Sequence, residues 1–270
     1  MKHSLRSLQL VPVISIALWA IAAWGNIPPN ITSFQGVLRD ATEQPLSGTY
    51  PIVFRYWSDA SSVDAAAFEI GWDYAHYRLT PPPEALADGH PVQQGWRAGA
   101  ATFGTRTLKP TPHVRKWLQL RLSAWRRGHA FEGVQVTPNF LAQIDVPECP
   151  ILRIALTHAS GAGSDASVDR VCNRAGYAAG NLAVMSTRAN QAKADLDWRD
   201  AMQIVRQLEA SGLDTLDGLG TVHWSRLAVL MSFATPLKHD EAACLPLLVL
   251  PPNRLRLLNA VQALQAVVTL

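Results

Sequence analysis

This chain of 270 residues has few cysteines, a small net charge and few long apolar runs. Three cysteines are too few for a small disulfide-stabilised domain, and no Cys-x-x-Cys pair is present to hold a structural zinc ion. The formal net charge of +3 excludes a protein whose whole surface binds polyanions. With 48% hydrophobic residues, the composition is that of a globular protein with a core.

Positive charge is concentrated in the middle of the chain. Residues 112–206 carry a net charge of +4, whereas 23–111 carry −2 and 207–270 carry −1. We therefore expect any DNA contact to be confined to residues 112–206.

The first 23 residues have the pattern of a secretory signal peptide or a membrane anchor. Lys2 and Arg6 precede an apolar run, and Ala20-Ile21-Ala22 supplies a small-x-small cleavage site. The run is shorter than the roughly 20 residues of a membrane span, which favours the signal peptide. An anchor and a buried N-terminal helix are the alternatives. A functional leader would contact the export machinery and place the protein outside the cell or in the envelope; otherwise the protein would be cytoplasmic.

Residues 24–111 are predicted to form a β-rich module with loops. The segment 31–57 resembles the opening of β-rich modules in secreted bacterial proteins, and 50–57 is β-branched and aromatic as in a strand. Helical spacing is expected over 65–77, and the Gly- and Pro-rich stretch 80–112 is predicted to form loops and turns.

A basic amphipathic helix is predicted over 112–128. Pro112 can start it, Gly128 can end it, and apolar residues recur at steps of three and four. The segment contains no acidic residue, so its polar face is a candidate phosphate-binding surface or simply a solvated face. Its cations are Arg115, Lys116, Arg121, Arg126 and Arg127.

Four motifs follow one another between residues 146 and 193. They are CPIL (149–152), SVDRV (167–171), GYAAGN (176–181) and ANQAK (189–193). Together with the basic helix they resemble the HNH endonucleases (His-Me finger, ββα-metal fold), specifically the phage and bacterial members with an Asp-Arg pair. The resemblance covers about 112–198 and implies a ββα finger that hydrolyses DNA phosphodiester bonds.

The resemblance also implies roles for individual residues. Asp169 at the end of the first strand and Asn190 on the helix would bind Mg²⁺ or Mn²⁺, which prefer oxygen ligands. Asn181 would orient the loop and the catalytic base. Lys193, one helical turn after Asn190, is suited to a phosphate oxygen, as is Arg188 on the same segment.

One departure from the family concerns the general base. The family's usual His after the Asp is replaced by Arg170, which cannot accept a proton near neutral pH but can clamp a phosphate. His158 is the remaining candidate for the base. Catalysis would then be slow or lost while the finger survives.

The remaining chain is predicted to be a helical cap over 201–270, packed on a finger domain over 112–200. The predicted class is α+β: a β-rich N-terminal module and a ββα-metal finger embedded in a mainly helical C-terminal part. Three functions stay open. They are a metal-dependent endonuclease, a catalytically inactive nucleic-acid-binding protein, and a secreted or envelope structural protein.

Overall fold

Helices dominate the part of the chain that the computed structural model describes, residues 62–269. All of these residues belong to one compact unit. The strands described form one antiparallel two-stranded sheet, so the predicted α+β class is confirmed. The elements are α1 (Ser62–His76), α2 (Pro91–Phe103), α3 (Pro112–Arg126), α4 (Pro138–Ile144), β1 (Ala166–Arg170), β2 (Leu182–Ser186), α5 (Thr187–Lys193), α6 (Trp198–Ser211), α7 (Thr221–Phe233), α8 (His239–Ala243) and α9 (Ala260–Thr269).

The described part of the predicted N-terminal module is helical. The leader and the segment 31–57 lie outside the described residues, but α1 and α2 pack as a helical hairpin. Loops were predicted where α2 lies, because its glycines are typical of turns. Here they allow two backbones to touch: a Cβ on Gly95 would lie 1.9 Å from the carbonyl oxygen of Phe68. The β-rich prediction is therefore wrong over this part.

Helix α3 lies where the sequence predicted it, but the predicted domain boundary in front of it does not hold. Val114, Leu118 and Leu122 of α3 are buried in one cluster with Ala67 and Ile70 of α1. Because both sides of the boundary share a core, the helical hairpin and α3 belong together.

The predicted ββα order is present as β1, β2 and α5. Ala166 pairs with Ser186 and Arg170 with Leu182. Helix α5 follows β2 directly, because the Ser186 hydroxyl accepts a hydrogen bond from the Ala189 amide at 3.2 Å and caps the helix. These contacts fix α5 against the hairpin.

Strand β2 is buried on both faces. Leu182 and Val184 pack in a cluster with residues of α3 and α4. The alternate residues Ala183 and Met185 pack in a second cluster with α6 and α7. This alternation places the hairpin between two cores.

Helices α6 and α7 pack against the second face of the hairpin. Asp197 caps α6, and Gly212 ends it in the left-handed conformation. The last helix is shorter than predicted, beginning at Ala260 rather than near 254. Over 62–269, no helix is both long and apolar enough to cross a membrane.

Candidate functional site

A cleft of about 410 Å³ lies between α3 and the ββα unit. It is the place where the predicted basic helix and the predicted finger meet. Its charged and amide side chains are Lys116, Gln119, Arg127, Asp169, Arg170, Asn173, Asn190, Gln191 and Asp195.

Asp169, which lines this cleft, forms a buried ion pair with Lys193. The Lys193 ammonium lies 3.1 Å from Oδ2 and 3.4 Å from Oδ1 of Asp169. It also donates to the carbonyl oxygen of Arg170 and to Oδ1 of Asn173, each at 3.0 Å. The Lys193 side chain has no exposed surface, so the predicted contact with a phosphate is wrong in this arrangement.

The surroundings of Asp169 have two opposed effects on the pKa of its carboxyl group. Burial raises the pKa of its carboxyl, because an ionised group loses its water there. The ammonium of Lys193 and the guanidinium of Arg170 act against that rise. The carboxylate therefore depends on its neighbouring cations to stay ionised.

Asp169 and Asn190 line the same cleft, but the pair does not fit a divalent metal ion. Both Asp169 oxygens already face the Lys193 ammonium. The Asn190 amide donates to the Ser167 hydroxyl at 2.8 Å. A Mg²⁺ ion needs oxygen ligands at about 2.1 Å and would meet the positive ammonium at this carboxylate. Within the described residues, no group of three or more His, Cys, Asp or Glu side chains could hold a metal ion.

Arg170 is held inside the finger rather than extended into solvent. Its Nη1 donates to the carbonyl oxygens of Asn173 at 3.0 Å and Ala175 at 3.3 Å. The guanidinium lies 5.2 Å from the centre of the Tyr177 ring. Arg170 lines the cleft, but its main contacts brace the loop between the strands.

His129 is a residue of this region that the sequence analysis missed. Its Nε2 lies 3.3 Å from Nη2 of Arg170, which can only donate, so Nε2 is the acceptor and the proton is on Nδ1. Partial burial and the charges of Arg170 and Arg127 lower the pKa of His129. The only signal in the sequence was its place directly after Gly128, at the end of a basic helix.

Asn181 closes the loop between the strands. Its Oδ1 accepts from the Cys172 amide at 2.9 Å, and its Nδ2 donates to the carbonyl oxygens of Cys172 and Gly176, each at 3.0 Å. By contrast, His158 is exposed in the loop before β1 and does not line the cleft. Its predicted role as general base has no support from this position.

Most of the other predicted phosphate contacts are engaged elsewhere. Arg121 is paired with Asp73 and stacked on Trp117. Arg126 pairs with Glu84 at 2.9 Å. These side chains stabilise the packing of α3 and do not line the cleft.

Three further predicted cations differ in position. Arg188 donates to the carbonyl oxygen of Gly218 at 2.6 Å, outside the cleft. Arg115 is exposed on α3 and also lies outside it. Lys116 lines the cleft, where burial lowers its pKa and its ammonium lies 3.4 Å from the carbonyl oxygen of Ala166.

Cys149, the first residue of the CPIL motif, has a structural position. Its Sγ is buried and accepts hydrogen bonds from the amides of Ser186 at 3.3 Å and Leu152 at 3.4 Å. It thereby ties the turn before the finger to the end of β2. All three cysteines are free thiols.

The fold and the cleft define an α+β protein in which a ββα unit faces a basic helix. No protein-family model matches the chain. No curated protein and no solved structure is significantly similar to it. The kinship with HNH endonucleases therefore stays a prediction from the four sequence motifs.

Proposed function

We propose that the protein binds the phosphodiester backbone of DNA in the cleft between α3 and the ββα unit, without metal-dependent catalysis. The observation that carries this proposal is that two cations of the α3 side, Lys116 and Arg127, line one cleft with polar side chains of the ββα unit. Guanidinium and ammonium groups in a groove are the usual partners of phosphate oxygens.

The charges on the α3 side are available to an anion. Arg127 hydrogen-bonds the Ser123 hydroxyl, and Lys116 bonds the carbonyl oxygen of Ala166, so both bond neutral groups. On the opposite side, the ammonium of Lys193 neutralises Asp169. Asp195 is the other acid of the cleft, which leaves the lining positive on balance.

The uncharged part of the lining suits backbone binding as well. Gln119 and Gln191 are exposed amides that can donate hydrogen bonds to phosphate or sugar oxygens. Contacts of this kind position a nucleic acid without reading its sequence. We therefore expect DNA affinity that depends strongly on salt and weakly on sequence.

A fluorescence-anisotropy titration with labelled duplex DNA at several salt concentrations tests this proposal. The double variant K116A/R127A should bind every duplex more weakly than the natural protein. Arg115→Ala is the matched control, because it removes an exposed cation from the same helix outside the cleft. Equal losses in the double variant and the control would contradict the assignment of the cleft.

The second candidate is the predicted endonuclease that hydrolyses DNA phosphodiester bonds. The observation in its favour is that Asp169 and Asn190 line the same cleft as Arg170. A plasmid-nicking assay in Mg²⁺, Mn²⁺ or EDTA separates the two candidates. Cleavage that needs the metal and is abolished by Asn190→Ala and Asp169→Ala, in protein shown to be folded by circular dichroism, would establish the endonuclease. Salt-dependent binding without cleavage would favour the first candidate.

A further inference from the structure

We propose that the ammonium of Lys193 is a built-in replacement for a metal cation, so that the finger is assembled without any divalent ion. Removing this ammonium would turn the surrounding oxygen shell into a site for a free divalent cation. The inference concerns how the finger is held together, and it stands whether or not the cleft binds DNA.

The surroundings of the ammonium are those of a cation site. Four oxygen atoms surround Nζ at 3.0–3.4 Å: both carboxylate oxygens of Asp169, the carbonyl oxygen of Arg170 and Oδ1 of Asn173. They come from the end of β1 and the following loop, while the cation comes from α5. The cation therefore joins the strand to the helix, which is what a metal ion would do in a ββα unit.

Burial makes this ammonium structural rather than catalytic. The Lys193 side chain has no exposed surface and that of Asp169 is 8% exposed. An ammonium has three hydrogens to donate, and the oxygens of Asp169, Arg170 and Asn173 can accept all three. A fully buried charge is stable only with such complete pairing.

One carboxylate oxygen of Asp169 is in contact with the Lys193 ammonium but accepts no hydrogen bond from it. Although Oδ2 lies 3.1 Å from Nζ, it accepts no well-directed hydrogen bond from any group in the described structure. The contact is thus mainly between charges. A compact positive ion of another kind could satisfy the same oxygen once the ammonium is gone.

Thermal unfolding of the purified full-length protein is the first test. The natural protein should melt at the same temperature in EDTA, Mg²⁺ and Mn²⁺. Lys193→Ala should lower Tm by roughly 10 °C in EDTA, since it leaves a buried carboxylate unpaired. Added Mn²⁺ or Mg²⁺ should then restore part of the loss in a saturable way. A requirement for divalent metal during purification of Lys193→Ala would be the same result in another form.

Two matched variants separate cation replacement from simple destabilisation. Lys193→Met keeps most of the side-chain volume without the charge, so it should be destabilised and show no recovery with metal. Lys116→Ala removes a lysine that lines the cleft and should gain no metal response. A Lys193→Ala protein that is folded but indifferent to divalent ions would overturn the proposal.

A second measurement needs no destabilised lysine variant. Titration of the natural protein with Mn²⁺, followed by electron paramagnetic resonance, should show the same binding before and after Asp169→Asn. Mn²⁺ binding to the natural protein that is lost in Asp169→Asn, in a variant shown by circular dichroism to be folded, would overturn the proposal, because the carboxylate would then be free to hold a metal beside Lys193.

Discussion

The cleft has two walls, α3 on one side and the ββα unit on the other, and their positive side chains have different partners. On the α3 side, Lys116 and Arg127, which caps the end of the helix, line the cleft and bond neutral groups. On the finger side, Lys193 is wholly buried against Asp169, and Arg170 is bound to backbone carbonyls. One wall therefore has cations that bond neutral groups, whereas the other uses its cations to hold itself together.

The difference comes from packing rather than from residue type. Lys116 is half-buried on the polar face of the amphipathic helix α3, whose fully buried residues are apolar. Lys193 ends a short helix held between the hairpin and the core formed by α6 and α7. The two lysines thus differ in burial, because Lys193 is enclosed by Asp169, Arg170 and Asn173 whereas Lys116 stays half-exposed at the cleft.

The largest expected effect is that of Asp169→Asn on the stability of the finger wall. The change leaves the Lys193 ammonium buried without a carboxylate, which should lower the free energy of unfolding by about 3–5 kcal/mol. Urea denaturation measures the loss. Asp195→Asn is the control, an exposed acid of the same cleft whose loss should change stability by less than about 0.5 kcal/mol. Similar values for both variants would erase the contrast between the walls.

Asn181→Ala should have the next largest effect. It removes three hydrogen bonds that close the loop between the strands, including those of the partly buried Cys172 amide and Gly176 carbonyl. We expect a loss of about 1–3 kcal/mol in the free energy of unfolding. Asn139→Ala, on the exposed face of α4, should be close to neutral. A neutral Asn181→Ala would mean that the loop is held by its backbone alone.

His129, next to Arg170, should make the stability of the protein depend on pH. Its pKa is lowered by partial burial and then by Arg170 and Arg127. The unfolded chain therefore binds the proton more readily than the folded protein. This contribution to stability is complete above the ordinary pKa of about 6.5 and is lost as the pH falls from there to the folded pKa.

Replacement of the neighbouring arginine tests that explanation. Arg170→Gln should raise the pKa of His129 part of the way to its ordinary value, as followed by an NMR titration of the imidazole signals. Arg174→Gln, an exposed arginine of the same loop, should leave it unchanged. Equal shifts in both variants would point to general surface charge instead of the contact with Arg170.

The smallest expected effect on stability is that of Arg127→Ala on the α3 wall. Because the side chain is exposed, the free energy of unfolding should change by less than about 0.5 kcal/mol. The salt dependence of DNA binding should instead fall by about one unit of slope, the share of one phosphate contact. An unchanged slope would remove Arg127 from the proposed interface.

The sequence predicted the parts of the site that local patterns determine. Asp169 ends a β-branched run, Asn181 closes a Gly-Asn turn, and Asn190 follows a helix start, so each occupies its predicted element. The burial of Lys193 could not be predicted in the same way, because the groups around its ammonium, Asp169, Arg170 and Asn173, lie 20 to 24 positions away in the chain.

Two further differences have the same origin in distant contacts. His129 meets Arg170 from 41 positions away in the chain, and no periodic pattern marks such a contact. Helix α2 was predicted as loop because Gly95 and Gly99 are poor helix formers. Their value lies in the close approach of α1, which only the folded chain reveals.

Because β2 is buried on both faces, the ββα unit needs both neighbouring layers of helices in order to fold. Leu182 and Val184 need the partners on α3 and α4, and Ala183 and Met185 need those on α6 and α7. A fragment cut just outside the ββα unit would expose a two-sided apolar hairpin to water and should aggregate rather than fold. Any graft of this unit onto another scaffold would have to carry both neighbouring layers with it.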